Sequence, residues 1–282
     1  MAYKTLTTIV TSAEEAATTV GAAAQLALAL DAHLDILCLG IDRTQIGYSY
    51  VGTGGGVLLQ IAMDRAEADA RSAETAARAA ATLQPVNLRW SVETVVAQTG
   101  GLGDLVALRA RFADLVVLPK PYGKGRGSEA EAALEAALFE GQAPVLVLPD
   151  SPASVELPRR IVIGWNQSRE AMVAVRRALP LLKRAQMVNI TVIDPPQHGP
   201  ERSDPGGALC QMLVRHGVKA EVSVLARTMP RIADVLTRHL RDMNADLLVM
   251  GAYGHSRFRE AILGGATRNM LEQAELPVLM AH

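Results

Sequence analysis

Ala245-Asp-Leu-Leu-Val-Met-Gly251 is a short apolar run that opens on an aspartate and closes on a glycine. A near copy, Ala113-Asp-Leu-Val-Val-Leu-Pro119, lies upstream, and the two aspartates, Asp114 and Asp246, stand 132 positions apart. Downstream of each copy comes a second matched pair, Ala143-Pro-Val-Leu-Val-Leu148 and Leu276-Pro-Val-Leu-Met-Ala281, whose prolines Pro144 and Pro277 are 133 positions apart. Two independent pairs at nearly one offset mark an internal repeat. A chain of 282 residues is long enough for two compact domains, each with its own core.

Working outward from these segments, each half reads in the same order. Short Val/Ile-rich runs alternate with longer stretches of helical period, the pattern of βαβ units on a parallel sheet. Strands are expected at Thr7–Thr11, Leu34–Ile41, Leu88–Val95, Leu115–Leu118 and Pro144–Leu148 in the first half. In the second half they are expected at Arg160–Gly164, Val188–Ile193, Ala220–Leu225, Leu247–Gly251 and Pro277–Met280. The runs are continuously apolar, as strands covered by helices on both faces are. The fold class is α/β: two tandem Rossmann-like domains, each a five-stranded parallel sheet flanked by helices.

Ser168 before Arg169-Glu170 is a candidate N-cap, and Pro180 inside the same helical pattern predicts a kink or break. Val57–Leu83 reads as one long Ala/Glu/Arg-rich helix. The first half carries about 22 extra residues between its second and fourth strands, chiefly the Arg43–Gly56 loop and this longer helix. Pro149–Pro158, with three prolines, is the expected linker, so the domains are read as 1–150 and 158–282.

Composition removes several classes of function. Hydrophobic residues make up 49% and aromatics 4%, so the cores are aliphatic and disorder is excluded as a starting point. A net charge of −1 with no basic run argues against nucleic acid as a partner. The apolar run Val20–Leu30 follows Glu14-Glu15 and has helical spacing, which suits an amphipathic helix better than a signal peptide or a membrane span. Cys38 and Cys210 belong to no CxxC pair and sit among apolar neighbours, as buried reduced thiols do. The expected location is the cytoplasm. The six histidines have no metal-ligand spacing, no P-loop or nucleophile elbow is present, and no paired catalytic carboxylates are evident near the glycine motif between Gly251 and Gly265.

The chemistry lies between Met250 and Leu271. Gly251-Ala-Tyr-Gly254 leaves the fourth strand of the second half, and nine residues later comes Gly264-Gly265-Ala266-Thr267. In an open parallel sheet, ligands bind beyond the carboxyl ends of the strands. Gly251 is read as giving the sharp turn, in conformations closed to residues with a Cβ. Gly254 admits an anion to bare backbone N–H groups, and Gly264 and Gly265 open a helix whose N-terminus faces phosphate. Thr267 adds a hydroxyl, and His255, Arg257 and Arg268 lie nearby. The alternative is that these glycines only cap strands and helices.

Gly251-x2-Gly254-x9-Gly264-Gly265 resembles the ATP-binding motif of the universal stress protein family, Gly-x2-Gly-x9-Gly-(Ser/Thr), with Gly265 in place of the last hydroxyl residue. The likeness extends in strand order over both halves. It implies the adenine nucleotide α-hydrolase-like variant of the fold, ATP as ligand with or without Mg²⁺, and a stress-response regulatory role. It places adenine near Gly164, Trp165 and Asn166, where the family often has Asp in place of Asn166. Val192 would be an apolar adenine contact, with ordinary core as the alternative, and Met250 would flank the loop. The resemblance also implies pairing of the last strands, Pro144–Leu148 with Pro277–Met280, as an intramolecular pseudo-dimer, with a homodimer of the whole chain left open.

The first half departs from the motif. Pro119 and Tyr122 stand where Gly251 and Gly254 do, and Thr11-Ser12 stands for Gly164-Trp165-Asn166. Proline has no N–H and tyrosine has a Cβ, so this half is expected not to bind ATP. Its own run Gly52-Thr-Gly-Gly-Gly56 is read as a surface loop or, alternatively, an anion contact. The rival functional readings are an interaction module with a relic site and a slow ATP hydrolase.

Overall fold

The structure, a computed structural model, describes residues 2–43, 55–123, 126–150, 156–195, 203–252 and 265–282. It divides into two compact units, one of Tyr3–Pro119 and Gly127–Ala143, the other of Lys120–Arg126 and Pro144–His282 with the N-terminal Met1–Ala2.

The first unit runs β1 (Thr5–Val10), α1 (Ala13–Leu30), β2 (His33–Asp42), α2 (Gly55–Thr82), β3 (Arg89–Gln98), a 3-10 turn, α3 (Leu102–Ala110), β4 (Leu115–Pro119) and α4 (Ser128–Phe139). Its strands lie in the order β3-β2-β1-β4, all parallel. Alternation of period 2 is absent from β4, whose Leu115, Val116, Val117 and Leu118 are all buried, because helices cover both faces. Ser12 caps α1 by accepting from Glu15 N at 3.4 Å.

The long helix α2 starts at Gly55, two residues before the sequence expectation. Ala66, Ala70, Ala73 and Ala77 repeat at three- and four-residue spacing and are buried at 1% or less. This stripe of methyl groups lets the helix backbone approach β2 closely. Gly40 completes the fit, because a Cβ there would collide with the carbonyl of Ala66.

The second unit contains β5 (Val145–Leu148), β6 (Arg160–Gly164), α5 (Arg169–Leu182), β7 (Met187–Ile193), α6 (Gly207–Arg215), β8 (Ala220–Leu225), α7 (Ile232–Asp242), β9 (Leu247–Gly251), α8 (Gly265–Gln273) and β10 (Val278–Ala281). Its strand order is β5-β10-β9-β6-β7-β8. Five strands are parallel. β5 runs antiparallel to β10 with Val278 opposite Val147, Leu279 opposite Leu146 and Met280 opposite Val145. The two Pro-Val-Leu segments of the repeat therefore meet each other directly.

The two repeat aspartates have the same structural role. Asp246 Oδ2 accepts from the backbone N–H groups of Arg159 and Arg160, both at 2.8 Å, which pins the start of β6 to the start of β9. Asp114 Oδ2 accepts from Lys4 N at 2.7 Å and Thr5 N at 3.0 Å, which pins β1 to β4 in the same way. Each strand start leaves two orphan amides, and one carboxylate satisfies both.

Of the kink or break expected at Pro180, the break does not occur. α5 continues through Pro180 and ends two residues later at Leu182. Proline withholds a bond from the carbonyl four residues earlier, here that of Arg176, an exposed residue. Among the described residues no helix is long and apolar enough to cross a membrane. Both cysteines are free. Burial, with Glu74 nearby, pushes the Cys38 thiol up to about 11, and burial with Asp204 nearby raises that of Cys210. Neither is a thiolate at neutral pH.

Candidate nucleotide site

The chain order of the second unit decides where a ligand can lie. From β6 the connections run outward to β7 and then β8; the chain then returns to the other side of β6 to form β9 and β10. The direction reverses between β6 and β9, and open parallel sheets hold ligands in the crevice beyond such a reversal. Gly164, the last residue of β6, sits in register between Thr191 of β7 and Met250 of β9. Trp165 N continues the ladder by donating to Thr191 O at 2.9 Å. The structure thus brings together Gly164, Trp165, Val192, Met250 and Gly251 on three adjacent strand ends.

These residues differ in what packing demands of them. Gly251 does not have a left-handed backbone, so the sharp-turn role expected of it is corrected. It is glycine for lack of space: a Cβ would lie 2.5 Å from Ala171 N and 2.7 Å from the Glu170 carbonyl carbon, against the first turn of α5. Gly164 has room. A Cβ there would meet Leu236 Cδ2 at 3.6 Å and Met250 Cβ at 3.7 Å, ordinary contacts. The sheet alone does not require glycine at this strand end.

The turn after β6 is built by local hydrogen bonds. Asn166 Oδ1 accepts from Ser168 N at 3.1 Å, and Ser168 Oγ accepts from Ala171 N at 3.1 Å, the cap read from the sequence. With its oxygen occupied, exposed Asn166 has its amide nitrogen left as a donor. Trp165 is 7% exposed, and its Nε1–H is buried without a partner among the described residues. An unsatisfied buried donor is costly, about 1–3 kcal/mol, so this indole fits a site where a bound group supplies an acceptor. Val192 is buried, with Cγ2 near Gly206, so core packing occupies its side chain.

The helix expected after the glycine pair begins at Gly265, and Ala266 and Thr267 fall in its first turn, Thr267 buried. Gly254, His255 and Gly264, with Arg257 and Glu260, lie outside the described residues, as does Gly52-Thr-Gly54 in the first half.

A buried polar cluster beneath α7 goes beyond what the sequence motifs predict. Asn189 Nδ2 donates to Glu221 Oε1 at 3.0 Å and Ser223 Oγ at 2.8 Å. Asn189 Oδ1 accepts from Thr191 Oγ1 at 2.8 Å and faces His239 Nε2 at 3.0 Å. Because the carboxylate fixes the amide orientation, Nε2 must carry the proton. Burial is the main influence on His239 and lowers its pKa, so the ring is neutral. One signal is present in the sequence: an asparagine inside the apolar run of β7 needs partners. A separate groove of about 550 Å³ along α7 involves Met229, Asp234, Thr237, Arg238, Arg241 and Glu275. It contains no predicted site residue, and its charges are paired, Arg241 with Glu275 at 2.7 Å and Asp234 with Arg231 at 3.0 Å.

The model of the universal stress protein family matches residues 158–282, which includes all the strand ends just described. Residues 158–282 thus form a universal stress protein family domain. A universal stress protein of Synechocystis sp. is 36% identical over 73 residues, 26% of this chain and 24% of that one, so the match spans about a quarter of that relative's length. A universal stress protein from Archaeoglobus fulgidus superposes over 98% of this chain and 95% of its own, with TM-score 0.66 and 12% identity. A Pseudomonas aeruginosa protein of unknown function does so over 99% and 92%, with TM-score 0.56 and 14% identity. At such identities the two structures speak to fold, and their coverage extends the likeness over the first half as well.

Proposed function

We propose that the second domain, residues 158–282, binds an adenine nucleotide, ATP with or without Mg²⁺, and that occupancy regulates partner contacts in a stress response. One observation carries this reading: the predicted residues Gly164, Trp165, Met250 and Gly251 gather at the carboxyl ends of β6 and β9, astride the reversal of strand order. The roomy Gly164 and the Trp165 indole, buried without a partner among the described residues, support it from the geometry. Gly254, Gly264, Gly265 and Thr267 would supply the phosphate contacts, with His255 beside them. The first domain, residues 1–150, has Pro119 and Tyr122 at the corresponding place and carries no such site.

The test is titration of ATP into the full chain, followed by calorimetry and by Trp165 fluorescence in a Trp90→Phe background. Binding is expected, and Gly254→Val should abolish it. Gly164→Ala should weaken it about tenfold, a loss of about 1.4 kcal/mol, with an unchanged melting curve because its Cβ has room. A folded protein that accepts no adenine nucleotide at millimolar concentration sinks the proposal. Turnover with Mg²⁺ above about one per second would favour an ATP hydrolase instead.

A further inference from the structure

The segment that follows β4 makes an unusual set of contacts for a loop. Lys120 is 8% exposed. Its Nζ donates to Ala274 O at 3.3 Å, one residue past the end of α8, and lies 3.6 Å from Asp150 Oδ2, just after β5. Arg126 reaches the same carboxylate at 3.5 Å. Tyr122 is also buried, and the Arg268 guanidinium stacks over its ring at 4.9 Å from the centroid. Arg268 is held in that pose by Glu272, at 2.9 Å on the same helix.

These contacts engage α8 at two points. Arg268 belongs to its first turns, and Ala274 lies immediately beyond its last residue. A cation at the carboxyl end satisfies a free carbonyl and complements the helix dipole. A nine-residue helix has little stability of its own and takes its position from what it packs against. Hydrogen bonds from its N-terminus tolerate displacements of only a few tenths of an ångström.

We infer that Lys120 and Tyr122, on the loop that replaces the glycine motif in the first repeat, are positioning residues that clamp α8 and so set the phosphate-binding geometry of the second repeat. The inference rests on the nucleotide reading of the second domain. The degenerate loop then has a purpose, because its bulky residues are what α8 is braced against.

The experiment measures ATP affinity and amide hydrogen exchange of α8 in the full chain. Tyr122→Leu keeps apolar volume in the buried position but removes the π face; Tyr122→Phe keeps the face. Tyr122→Leu should weaken ATP binding roughly threefold to thirtyfold, the span of a cation–π contact, and speed exchange of amides 268–273. Tyr122→Phe should stay within about twofold of the parent chain. Arg268→Gln should match Tyr122→Leu, and the double variant should be no worse than either single one, because both remove the same contact. Lys120→Met should weaken binding in the same direction. If Arg268→Gln weakens binding while Tyr122→Leu does not, Arg268 acts on phosphate directly and the clamp is refuted. Unchanged affinity and exchange in Tyr122→Leu and Lys120→Met also refute it. Absence of ATP binding by the parent chain would overturn the nucleotide reading itself, a distinct result.

Discussion

The exits of β4 and β9 occupy the same place in the two repeats and are built from opposite materials. At the end of β9 the backbone is bare: Gly251 presses so closely on Glu170 and Ala171 of α5 that no side chain fits. Beyond β4 comes Lys120-Pro-Tyr122, all three buried, with cation and ring engaged on α8. A shared strand order therefore does not give a shared end surface. The sheet sets where the chain emerges, and the residue types at that point decide what the strand exit presents to its surroundings.

The largest effect should come from filling the bare exit. Gly251→Val places its Cβ against backbone atoms that cannot rotate away, and overpacking of this kind costs about 3 kcal/mol or more. Chemical denaturation checks it. A loss below about 1 kcal/mol would mean that α5 yields easily and that the β9 exit is less constrained than the contact implies.

The polar cluster beneath α7 sharpens the contrast next. The related face of the first repeat has the Asp35–Ser91 bond, 2.6 Å and exposed, so it can be lost to water at little cost. Asn189→Leu would strand the buried His239 and Thr191, and is expected to cost about 2–4 kcal/mol. The sign of the pH effect follows from burial. The folded-state pKa of His239 lies below its ordinary 6.5, so the unfolded chain binds the proton more readily. Stability is full above pH 6.5 and declines as pH falls below it. Denaturation at stepped pH should show this decline, and His239→Gln should flatten it; an equal slope in the variant would assign the effect to other groups.

The smallest effects should be equal in the two repeats. Asp114→Ala and Asp246→Ala each release two backbone amides at an exposed strand start, and each should cost about 1–2 kcal/mol. A difference beyond about 1 kcal/mol between them would show that the repeat is symmetric in sequence but not in energetics.

Much of this is legible in the chain. Arg160–Gly164, Ala220–Leu225 and Leu247–Gly251 match their observed strands residue for residue; the first and last are apolar runs with few other ways to bury themselves, while Ala220–Leu225 forms a strand with no fully buried residue. The Ser168 cap is readable for a local reason, since its partner is three residues away. Pro180 does not stop α5, which ends two residues later at Leu182. Gly251 stands out in the sequence, but turn formation is the wrong reason for it, since the demand comes from α5, far off along the chain. The cluster around Asn189 draws on β7, β8 and α7; an asparagine in an apolar run signals that partners are needed, but no local pattern says which they are.

Sequence by itself determined the repeat, the strand and helix order and the small-residue pattern at one strand exit, because these follow from periodicity and from which backbones can bend. Tertiary structure decided which strand ends come together, that His239 is buried neutral, that the Trp165 donor finds no partner among the described residues, and that Lys120 and Tyr122 brace α8. Those outcomes depend on packing between segments distant along the chain, where a side chain's neighbours, rather than its own type, set its charge, its room and its partners.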